Sequence, residues 1–428
     1  MLDIRIIRET PEILEETLRR RGATADIGHV VELDERRRAL TTQAEELRQE
    51  RNAASKEIGA AKGRGEDAEA AMAAVRELGD RLAAIDEQLR DASAQLDVAM
   101  LALPNIVAAD VPDGGEDEGT ELRRVGDPLI VEGGATDHLD LGIALDVIDM
   151  ERGARTSVSR FTYLKGDAAR LQYALTQFAL DRLGGHGFLP VVPPVLVREE
   201  AMWGTGFFPA DASQIYRIPD ENHDLFLVGT SEVPLAAMHM DEILDAEQLP
   251  LRYAGVSSCF RREAGAAGKD TRGLIRVHQF DKIEMFSFVE PHASPEEHDF
   301  ILAREEELIS ALELPYRVVN IAAGDLGAPA TKKYDIEVWF PGQQRYRELT
   351  SCSNTLDYQA RRLKARVRRE KGTEFVHTLN GTAFAIGRTI AAIFENHQNP
   401  DGTITVPEAL HEYGSPKVIR KSRAGVPA

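Results

Sequence analysis

The chain has 428 residues, of which 43% are apolar, so we predict two or three domains. Its formal net charge of −20 opposes binding to a polyanion, so any such contact would need local basic surface. No apolar run approaches the roughly 20 residues of a membrane helix, and the acidic residues after Met1 are atypical of a targeting peptide, so we expect a cytoplasmic protein with no membrane partner. The two cysteines, Cys259 and Cys352, exclude a disulfide framework and a four-cysteine zinc site and are expected to be ordinary core thiols.

The N-terminal part of the chain has helical patterning. Thr10 and Pro11 have the residue types of a helix N-cap and first position, so a short helix is predicted there. Two longer apolar seams, from about Asp26 to Ile58 and from Val75 to Leu103, step by threes and fours as in coiled-coil helices. A reversal is expected over Gly59 to Glu66, which holds three glycines. The two helices would therefore pack antiparallel as an arm on the order of 50 Å long.

Charge is distributed unevenly along this predicted arm. The segment Asp34 to Arg64 has eight basic and six acidic residues, whereas Glu66 to Asp97 has three basic and nine acidic. The first helix is therefore the better candidate for contacting phosphate. A dimerising or purely structural coiled coil with solvated charges remains the alternative.

A change of composition after the arm predicts a domain boundary. Pro104, Pro112 and an acidic, glycine-rich stretch indicate a linker over 104–121, between an N-terminal domain over 1–103 and a second domain over 122–428. In the second domain, short β-rich runs outnumber the helical segments, so we expect an α+β fold with a mainly antiparallel sheet flanked by helices. The predicted strands are Leu225 to Val228, Tyr253 to Phe260, Ile283 to Val289, Tyr316 to Ile321, Ile336 to Phe340 and Phe384 to Ile386, and the helices are Asp167 to Leu183 and Pro295 to Leu312.

The densest chemical signal lies around a glycine-rich loop from Ala264 to Gly273. The flanking runs read as two strands, which would bring Arg261 and Arg276 close together. Converging guanidinium groups suit a polyphosphate, because each can donate two hydrogen bonds to phosphate oxygens and stays charged. The loop is not a Walker A motif, since that motif would need glycine at Glu263 and serine or threonine at Asp270. From the residues alone, a phosphate-binding loop and an exposed basic turn both stay open.

The sequence motifs of this region resemble those of a known family. FRREAG, DTRGL and RVHQFDK, between Phe260 and Glu284, are similar to motif 2 of class II aminoacyl-tRNA synthetases, and of seryl-tRNA synthetases in particular. The segment Gly187 to Pro194 resembles motif 1, and Thr378 to Thr389 resembles motif 3. The predicted arm resembles the family's N-terminal tRNA-binding coiled coil. The resemblance thus covers nearly the whole chain and implies the class II fold.

The resemblance implies roles in binding and activating ATP. Arg261, Arg388 and Glu348 would be the catalytic residues, because the reaction needs phosphate charge to be oriented and neutralised. Glu348 and Ser351 would supply oxygen ligands to Mg²⁺ bound with ATP, the ligand type that this ion prefers. The implied ATP-binding set is Arg261, Arg262, Glu263, Arg276, Val277, Phe280, Glu348, Leu349, Thr350, Ser351 and Arg388.

The resemblance also implies a site for L-serine. Its ammonium and hydroxyl groups would be recognised by carboxylates and hydroxyls, since polar groups left unpaired by alanine would reject it. The matching residues are Thr230, Ser231, Glu232, Glu284 and Thr382, although each threonine alone could be a satisfied structural hydroxyl. The implied partners are tRNA(Ser), with tRNA(Sec) left open, and a second copy of the chain in a homodimer formed through motif 1 around Pro194.

Several alternatives remain beside this interpretation. His278 could serve as a catalytic base, but the chemistry needs none and no partner carboxylate is evident. The basic run 361–371 could contact the tRNA acceptor stem or be a solvated charged face. The sequence of motif 2 resembles that of the common bacterial branch of the family, which implies an active site that uses Mg²⁺ and no zinc. Two rival functions are a paralogue that loads an amino acid onto a non-tRNA carrier and a non-catalytic RNA-binding paralogue.

Overall fold

A computed structural model describes residues 1–65, 67–131, 134–221, 223–264 and 272–421. Residues 265–271 of the predicted glycine-rich loop and 422–428 of the tail lie outside this description. The chain divides into two compact units, Leu2–Pro104 and Asn105–Ala428, the second of which includes Met1. Within the parts described, no helix is long and apolar enough to cross a membrane.

The first unit is entirely helical in its described elements. Its helices are α1 Ile4–Glu9, α2 Pro11–Arg21, α3 Ile27–Gly63 and α4 Glu69–Leu101. Thr10 stands at the predicted N-cap of α2, but its hydroxyl donates to the carbonyl of Ile6 at 3.1 Å and caps no amide of α2. Thr10 and Pro11 thus occupy the predicted N-cap and first helical positions, although the Thr10 hydroxyl bonds back to α1 and does not cap α2.

Helices α3 and α4 pack on each other along the predicted seams. Leu40, Ala44 and Leu47 of α3 are buried, as are Leu82 and Leu96 of α4. At about 1.5 Å per residue the 37 residues of α3 extend over roughly 55 Å, as expected for an arm. The reversal starts later than predicted, since α3 continues through Gly59 to Gly63.

The second unit is built on an antiparallel sheet. Its described strands follow the order β1-β11-β12-β13-β16-β10-β9-β4, and the edge pair β4 and β9 is parallel. The strands are β1 Thr120–Val125, β2 Ile148–Asp149, β3 Tyr163–Leu164, β4 Leu189–Val191, β5 Leu196–Arg198, β6 Tyr216–Ile218, β7 Leu225–Leu227, β8 Ile243–Leu244, β9 Leu251–Phe260, β10 Gln279–Val289, β11 Tyr316–Asn320, β12 Lys332–Phe340, β13 Arg345–Asn354, β14 Arg366–Arg368, β15 Thr373–Phe375, β16 His377–Ala385, β17 Ile404–Thr405 and β18 Val418–Ile419.

Helices pack on both faces of this sheet. Those of the second unit are α5 His138–Ala144, α6 Met150–Thr156, α7 Gly166–Gly185, α8 Glu199–Thr205, α9 Glu232–Ala237, α10 Ser294–Ala311, α11 Tyr358–Leu363 and α12 Ile386–Asn396. α7, α10 and α12 pack with the sheet around one large apolar core that includes Phe178, Ile301 and Ile390. α9 and α11 pack against Phe286 and Phe288 on the face opposite to the large core. The predicted α+β class is confirmed. The predicted strand Phe384 to Ile386 is corrected, because β16 ends at Ala385 and Ile386 begins α12.

Candidate active site

Strand β10 separates the core from the candidate site. Ile283 and Met285 are fully buried in the apolar core, whereas Lys282 and Glu284 alternate with them and lie on the opposite face. Lys282 and Glu284 are nevertheless 7% and 1% exposed. A charged pair that is buried away from the core is a candidate functional feature, because such burial costs free energy unless the groups are paired.

Two β-bulges aim the predicted site residues at this face. In the pairing of β10 with β16, Glu284 faces Thr382 and Ile283 faces Phe384, so Ala383 is an extra residue. In the pairing of β12 with β13, Leu349 is extra in the same way between Glu348 and Thr350. Residues three apart in a regular strand lie on opposite faces, but a bulge between Glu348 and Ser351 places both on the site face.

The predicted serine residues Glu284, Glu232 and Thr382 come together through short polar contacts. The Glu284 carboxylate pairs with the Lys282 ammonium at 2.5 Å and accepts from the Thr382 hydroxyl at 3.3 Å. The Asn380 amide donates to Glu232 at 2.7 Å and to Glu284 at 3.4 Å, and so bridges the two carboxylates. Two ionised carboxylates beside one ammonium leave net negative charge, which suits a cationic ligand group.

Glu232 is the carboxylate whose charge is least favoured. Burial and, after it, repulsion from Glu284 raise the pKa of Glu232 from 4.5 to about 7. The side-chain amides of Gln359 and Asn380 oppose this shift, because both donate to the carboxylate. The group is therefore poised to change charge near neutral pH.

The two remaining residues of the predicted serine set play different local parts. The Thr230 hydroxyl accepts a hydrogen bond of 3.2 Å from the main-chain amide of Glu232, at the start of α9. Ser231 is fully buried, and its hydroxyl points to the carbonyl of Gly255 at 3.5 Å. Thr230 lies beside the carboxylate pair, whereas Ser231 holds α9 against strand β9.

A cation-lined cavity adjoins the carboxylate pair. The Arg261 guanidinium lies 5.3 Å from the centre of the Phe280 ring and donates to the carbonyl of Gly229 at 3.3 Å. Arg388 donates to the carbonyl of Glu348 at 3.0 Å. The cavity is lined by Arg261, Glu263, Leu274, Ile275, Arg276, Val277, Phe280, Lys282, Glu348, Leu349, Ser351, Thr382, Ala385, Gly387 and Arg388.

Glu263 and Arg276 form an ion pair on the wall of this cavity. Arg276 Nε lies 2.5 Å from Glu263 Oε2, and Glu263 has a left-handed backbone with φ of 52°. A non-glycine residue rarely adopts this conformation without a compensating contact. The strained turn follows β9 directly and points the Glu263 carboxylate at the arginine of the returning segment.

Glu348 is held ionised by surrounding cations. Partial desolvation disfavours its charge, but Lys333, Arg388 and Arg261 outweigh this and lower the pKa of Glu348 to about 2. Lys333 also lies 2.9 Å from Asp335, whose pKa burial raises to about 7. Asp335 pairs with Ser351 across the strands, so it lies on the same face of the sheet.

Three residues of the predicted ATP set are placed less favourably. Arg262 is exposed and is absent from the cavity lining. Thr350 is buried on the core side, where its hydroxyl donates to Glu305 of α10 at 3.4 Å. Leu349 lines the cavity but is 1% exposed and packs in the apolar core. Arg262 or Thr350 would therefore have to contact ATP through its main chain, or after its side chain had changed conformation.

The histidine and the thiols that the sequence singled out lie in structural positions. Nδ1 of His278 lies 2.9 Å from the carbonyl of Arg261, so this nitrogen must carry the proton and donate it. The imidazole thereby fixes the main chain of a cavity-lining arginine. Cys259 and Cys352 are both free and buried, as predicted.

The basic run 361–371 pairs largely with groups of the same chain. Arg361 bonds to Asp357 at 2.7 Å, Arg369 to Glu290 at 2.5 Å, and Arg368 to Asp245 at 3.4 Å. The Arg362 guanidinium lies 4.2 Å from the centre of the Tyr358 ring and donates to the carbonyl of Trp203. These contacts favour a structural role for much of this charge.

Sequence reasoning missed five polar residues of the site: Lys282, Lys333, Asp335, Gln359 and Asn380. Lys282 could have been found, because it lies two residues from the recognised Glu284, next to a predicted strand. Gln359 gave no such signal. It belongs to a helix of six residues and reaches Glu232 from 127 residues away in sequence.

Comparison with protein families identifies two segments of the chain. Residues 1–107 match the seryl-tRNA synthetase N-terminal domain. Residues 216–397 match the tRNA synthetase class II core domain of the G, H, P, S and T type. The second segment contains every residue of the carboxylate pair and of the cavity described above.

Individual relatives match over the full length. The chain is 48% identical to the serine–tRNA ligase of Nocardia farcinica over 98% of its own length and 99% of that protein. It also matches the crystal structure of seryl-tRNA synthetase from Pyrococcus horikoshii complexed with ATP, with a TM-score of 0.91, 41% identity, and 99% and 100% of the two chains covered. The cytoplasmic serine–tRNA ligase of Naegleria fowleri in complex with AMP gives a TM-score of 0.88 at 35% identity, with 99% of each chain covered.

Proposed function

The chain belongs to the seryl-tRNA synthetases, the class II ligases that join serine to tRNA, and from this premise we propose which of its residues carry each part of the reaction. The two rival functions considered from the sequence gain no support from the full-length relatives, which are serine–tRNA ligases. The observation that carries the proposal is the buried carboxylate pair, Glu232 and Glu284, directly beside a cavity lined by Arg261 and Arg388.

L-Serine is proposed to bind at the carboxylate pair. Its ammonium group would face Glu232 and Glu284, and its hydroxyl group would lie within reach of Glu284 and Thr382, with Thr230 and Ser231 shaping the wall. Support comes from the net negative charge of the pair beside Lys282 and from the burial of both carboxylates. A desolvated polar site of this kind rejects analogues that lack the hydroxyl, because its buried groups would then be unpaired.

ATP is proposed to bind in the adjoining cavity, and support comes from the Pyrococcus horikoshii relative, whose crystal structure is a complex with ATP. Arg261 would contact the α-phosphate, at which the serine carboxylate attacks, and Arg388 would hold the γ-phosphate. Glu263, with Arg276 paired to it, and Val277 and Phe280 would hold the nucleoside. The protein orients the two reactants and places fixed positive charge where phosphate charge accumulates, so no covalent enzyme intermediate is required.

The residues on the site face of β13 fit a divalent cation bound with ATP. Glu348 is held ionised, and the bulge at Leu349 brings the Ser351 hydroxyl to the same face. Mg²⁺ prefers such oxygen ligands, takes few of them from a protein, and would supply further neutralisation of the phosphates. Within the described ranges no three His, Cys, Asp or Glu side chains are grouped around a metal position, so phosphate oxygens would complete its shell. Dependence on Mg²⁺ without zinc remains a prediction.

The remaining proposals concern partners. Residues 1–103, with the arm over 26–103, would bind tRNA(Ser), followed by a linker over 104–121 and a catalytic domain over 122–428. Charging of tRNA(Sec) stays an open second acceptor and is not part of this proposal. A homodimer would form through the segment ending at Pro194, and the enzyme would act in the cytoplasm, where its acceptor is used.

Two assays test the proposal and separate serine activation from the charging of tRNA. Pyrophosphate exchange into ATP, measured with Mg²⁺ and each of the twenty amino acids, is expected with serine alone. Replacing Asp26–Leu103 by a short turn should preserve this exchange and abolish charging of tRNA(Ser). Exchange with another amino acid would contradict the serine site, and loss of exchange together with charging would mean that the arm is structural.

A further inference from the structure

We propose that Gln359 is a positioning residue of the serine site, which holds the carboxylate of Glu232 in the orientation that receives the serine ammonium group. This inference rests on the proposed function, because Glu232 matters only if serine binds beside it. Gln359 does not line the cavity and is fully buried behind Glu232, in helix α11. Its role would be to act through Glu232 without touching either substrate.

The amide of Gln359 is fixed by partners at both of its polar atoms. Its Oε1 accepts from the Thr378 hydroxyl at 2.9 Å, on strand β16. Its Nε2 donates to Glu232 Oε1 at 2.8 Å and to the carbonyl of Thr205 at 3.2 Å. The two groups facing Nε2 are both acceptors when Glu232 is ionised, so a flipped amide would place oxygen against two oxygens. The donor must therefore point at the carboxylate.

This fixed donor matters because the charge of Glu232 is otherwise disfavoured. The groups that face the carboxylate are Glu284 and Lys282 of β10, Asn380 of β16 and Gln359 of α11. Glu284 repels the charge and burial removes water from it, whereas Lys282 and the two amides stabilise it. Removing the amide of Gln359 would raise the pKa of Glu232 further, so less of the enzyme would present a carboxylate at neutral pH.

Gln359→Met tests the inference, because methionine keeps the shape of the side chain and removes both polar atoms. A lost hydrogen bond to a charged group is expected to raise the KM for serine by about 10- to 100-fold. The acidic limb of the pH profile of kcat/KM for serine should move to higher pH, and the KM for ATP should stay unchanged. A merely structural role for Gln359 would not move that limb selectively.

A double-mutant cycle with Glu232→Gln shows whether Gln359 acts through Glu232. With no carboxylate to orient, Gln359→Met should add no further loss of serine affinity in the Glu232→Gln enzyme. The matched control is Gln398→Met, which removes an amide that bonds to Thr136 and Glu395 away from the site and should leave both KM values unchanged. If Gln359→Met does not fold, Gln359→Asn retracts the same amide and is measured in the same way.

The outcomes separate this inference from the proposed function. Equal effects on the KM values for serine and ATP, an unmoved pH profile, or losses that add to those of Glu232→Gln would overturn the role of Gln359. An unchanged KM for serine in Glu232→Gln alone would instead overturn the serine site itself. A selective, non-additive loss with the shifted limb is the result that supports the inference.

Discussion

At the residue scale, the site depends on keeping two carboxylates charged at close range inside the protein. Glu284 has the ammonium of Lys282 as its direct partner, whereas Glu232 accepts hydrogen bonds from the neutral amides of Asn380 and Gln359. The two acids therefore differ in how firmly their charge is held. This difference leads to separate predictions for each.

Replacement of Glu284 by alanine should remove serine activation. The change would leave the ammonium of Lys282, which is 7% exposed, without its carboxylate partner, and would take away the proposed acceptor for serine. We expect kcat/KM for serine in pyrophosphate exchange to fall by roughly 10³-fold. Glu296→Ala changes an exposed acid on α10 and is the control. Near-normal serine affinity in Glu284→Ala would contradict the assigned pocket.

The raised pKa of Glu232 predicts opposite trends for activity and stability. As pH falls below about 7, Glu232 takes up a proton, so kcat/KM for serine should fall. The folded chain binds this proton more tightly than the unfolded chain, whose carboxyl has the ordinary value of 4.5. Stability from this group is thus fully present below pH 4.5 and is lost as pH rises to about 7, on the order of 3 kcal/mol.

Thermal unfolding of the wild type and of Glu232→Gln, from about pH 5 to about pH 8, checks the sign of this linkage. The variant has no carboxyl at this position, so its stability should decline less over the interval. Other buried acids such as Glu305, whose pKa burial also raises, are common to both proteins and cancel in the difference. Parallel curves for the two proteins would show that Glu232 titrates at its ordinary value in the folded chain.

At the element scale, periodicity predicted most of the helices and strands but not their irregularities. The seams of α3 and α4 and the alternation in β9, β10 and β12 follow directly from burial of one face of each element. The bulges at Leu349 and Ala383 could not be read from a period of two, because a bulge changes that period. The position of Glu348, Ser351 and Thr382 on the site face depends on these bulges. The family resemblance could therefore name these residues, but the sequence could not predict how they are arranged.

Two glycines at the tip of the arm give a paired prediction. Gly59 lies within α3 and has open space where a Cβ would stand, so Gly59→Ala should stabilise the arm by about 0.5–1 kcal/mol. Gly65 has a φ of +75°, so Gly65→Ala should destabilise the turn despite equally open space. Hydrogen exchange of the arm amides measures both effects. Equal effects of the two changes would mean that the helix does not continue through Gly59.

At the scale of the whole molecule, exposed apolar residues near the sheet edge support the proposed homodimer. Leu189 of the edge strand β4 is 59% exposed, and Val192 just after it is 87% exposed. Clustered apolar exposure of this kind is typical of an interaction surface, and an unpaired strand edge invites a partner.

Val192→Asp should therefore weaken the dimer. Sedimentation is expected to give twice the single-chain mass of 47.2 kDa for the wild type and a larger monomer fraction for the variant. Val98→Asp, in α4 and 70% exposed, is the control for adding charge at an exposed valine. A wild-type monomer, or a dimer unaffected by Val192→Asp, would argue against this interface.

A crystal structure of the chain with a non-hydrolysable seryl-adenylate analogue tests the central claim most directly. The account predicts the serine ammonium within about 3.2 Å of a carboxylate oxygen of Glu232 or Glu284, and the phosphate-mimicking group beside Arg261. The hydroxyl of the serine moiety should lie within the same reach of Glu284 or Thr382. An analogue bound with its ammonium away from both carboxylates, or outside the cavity of Arg261 and Arg388, would contradict the account.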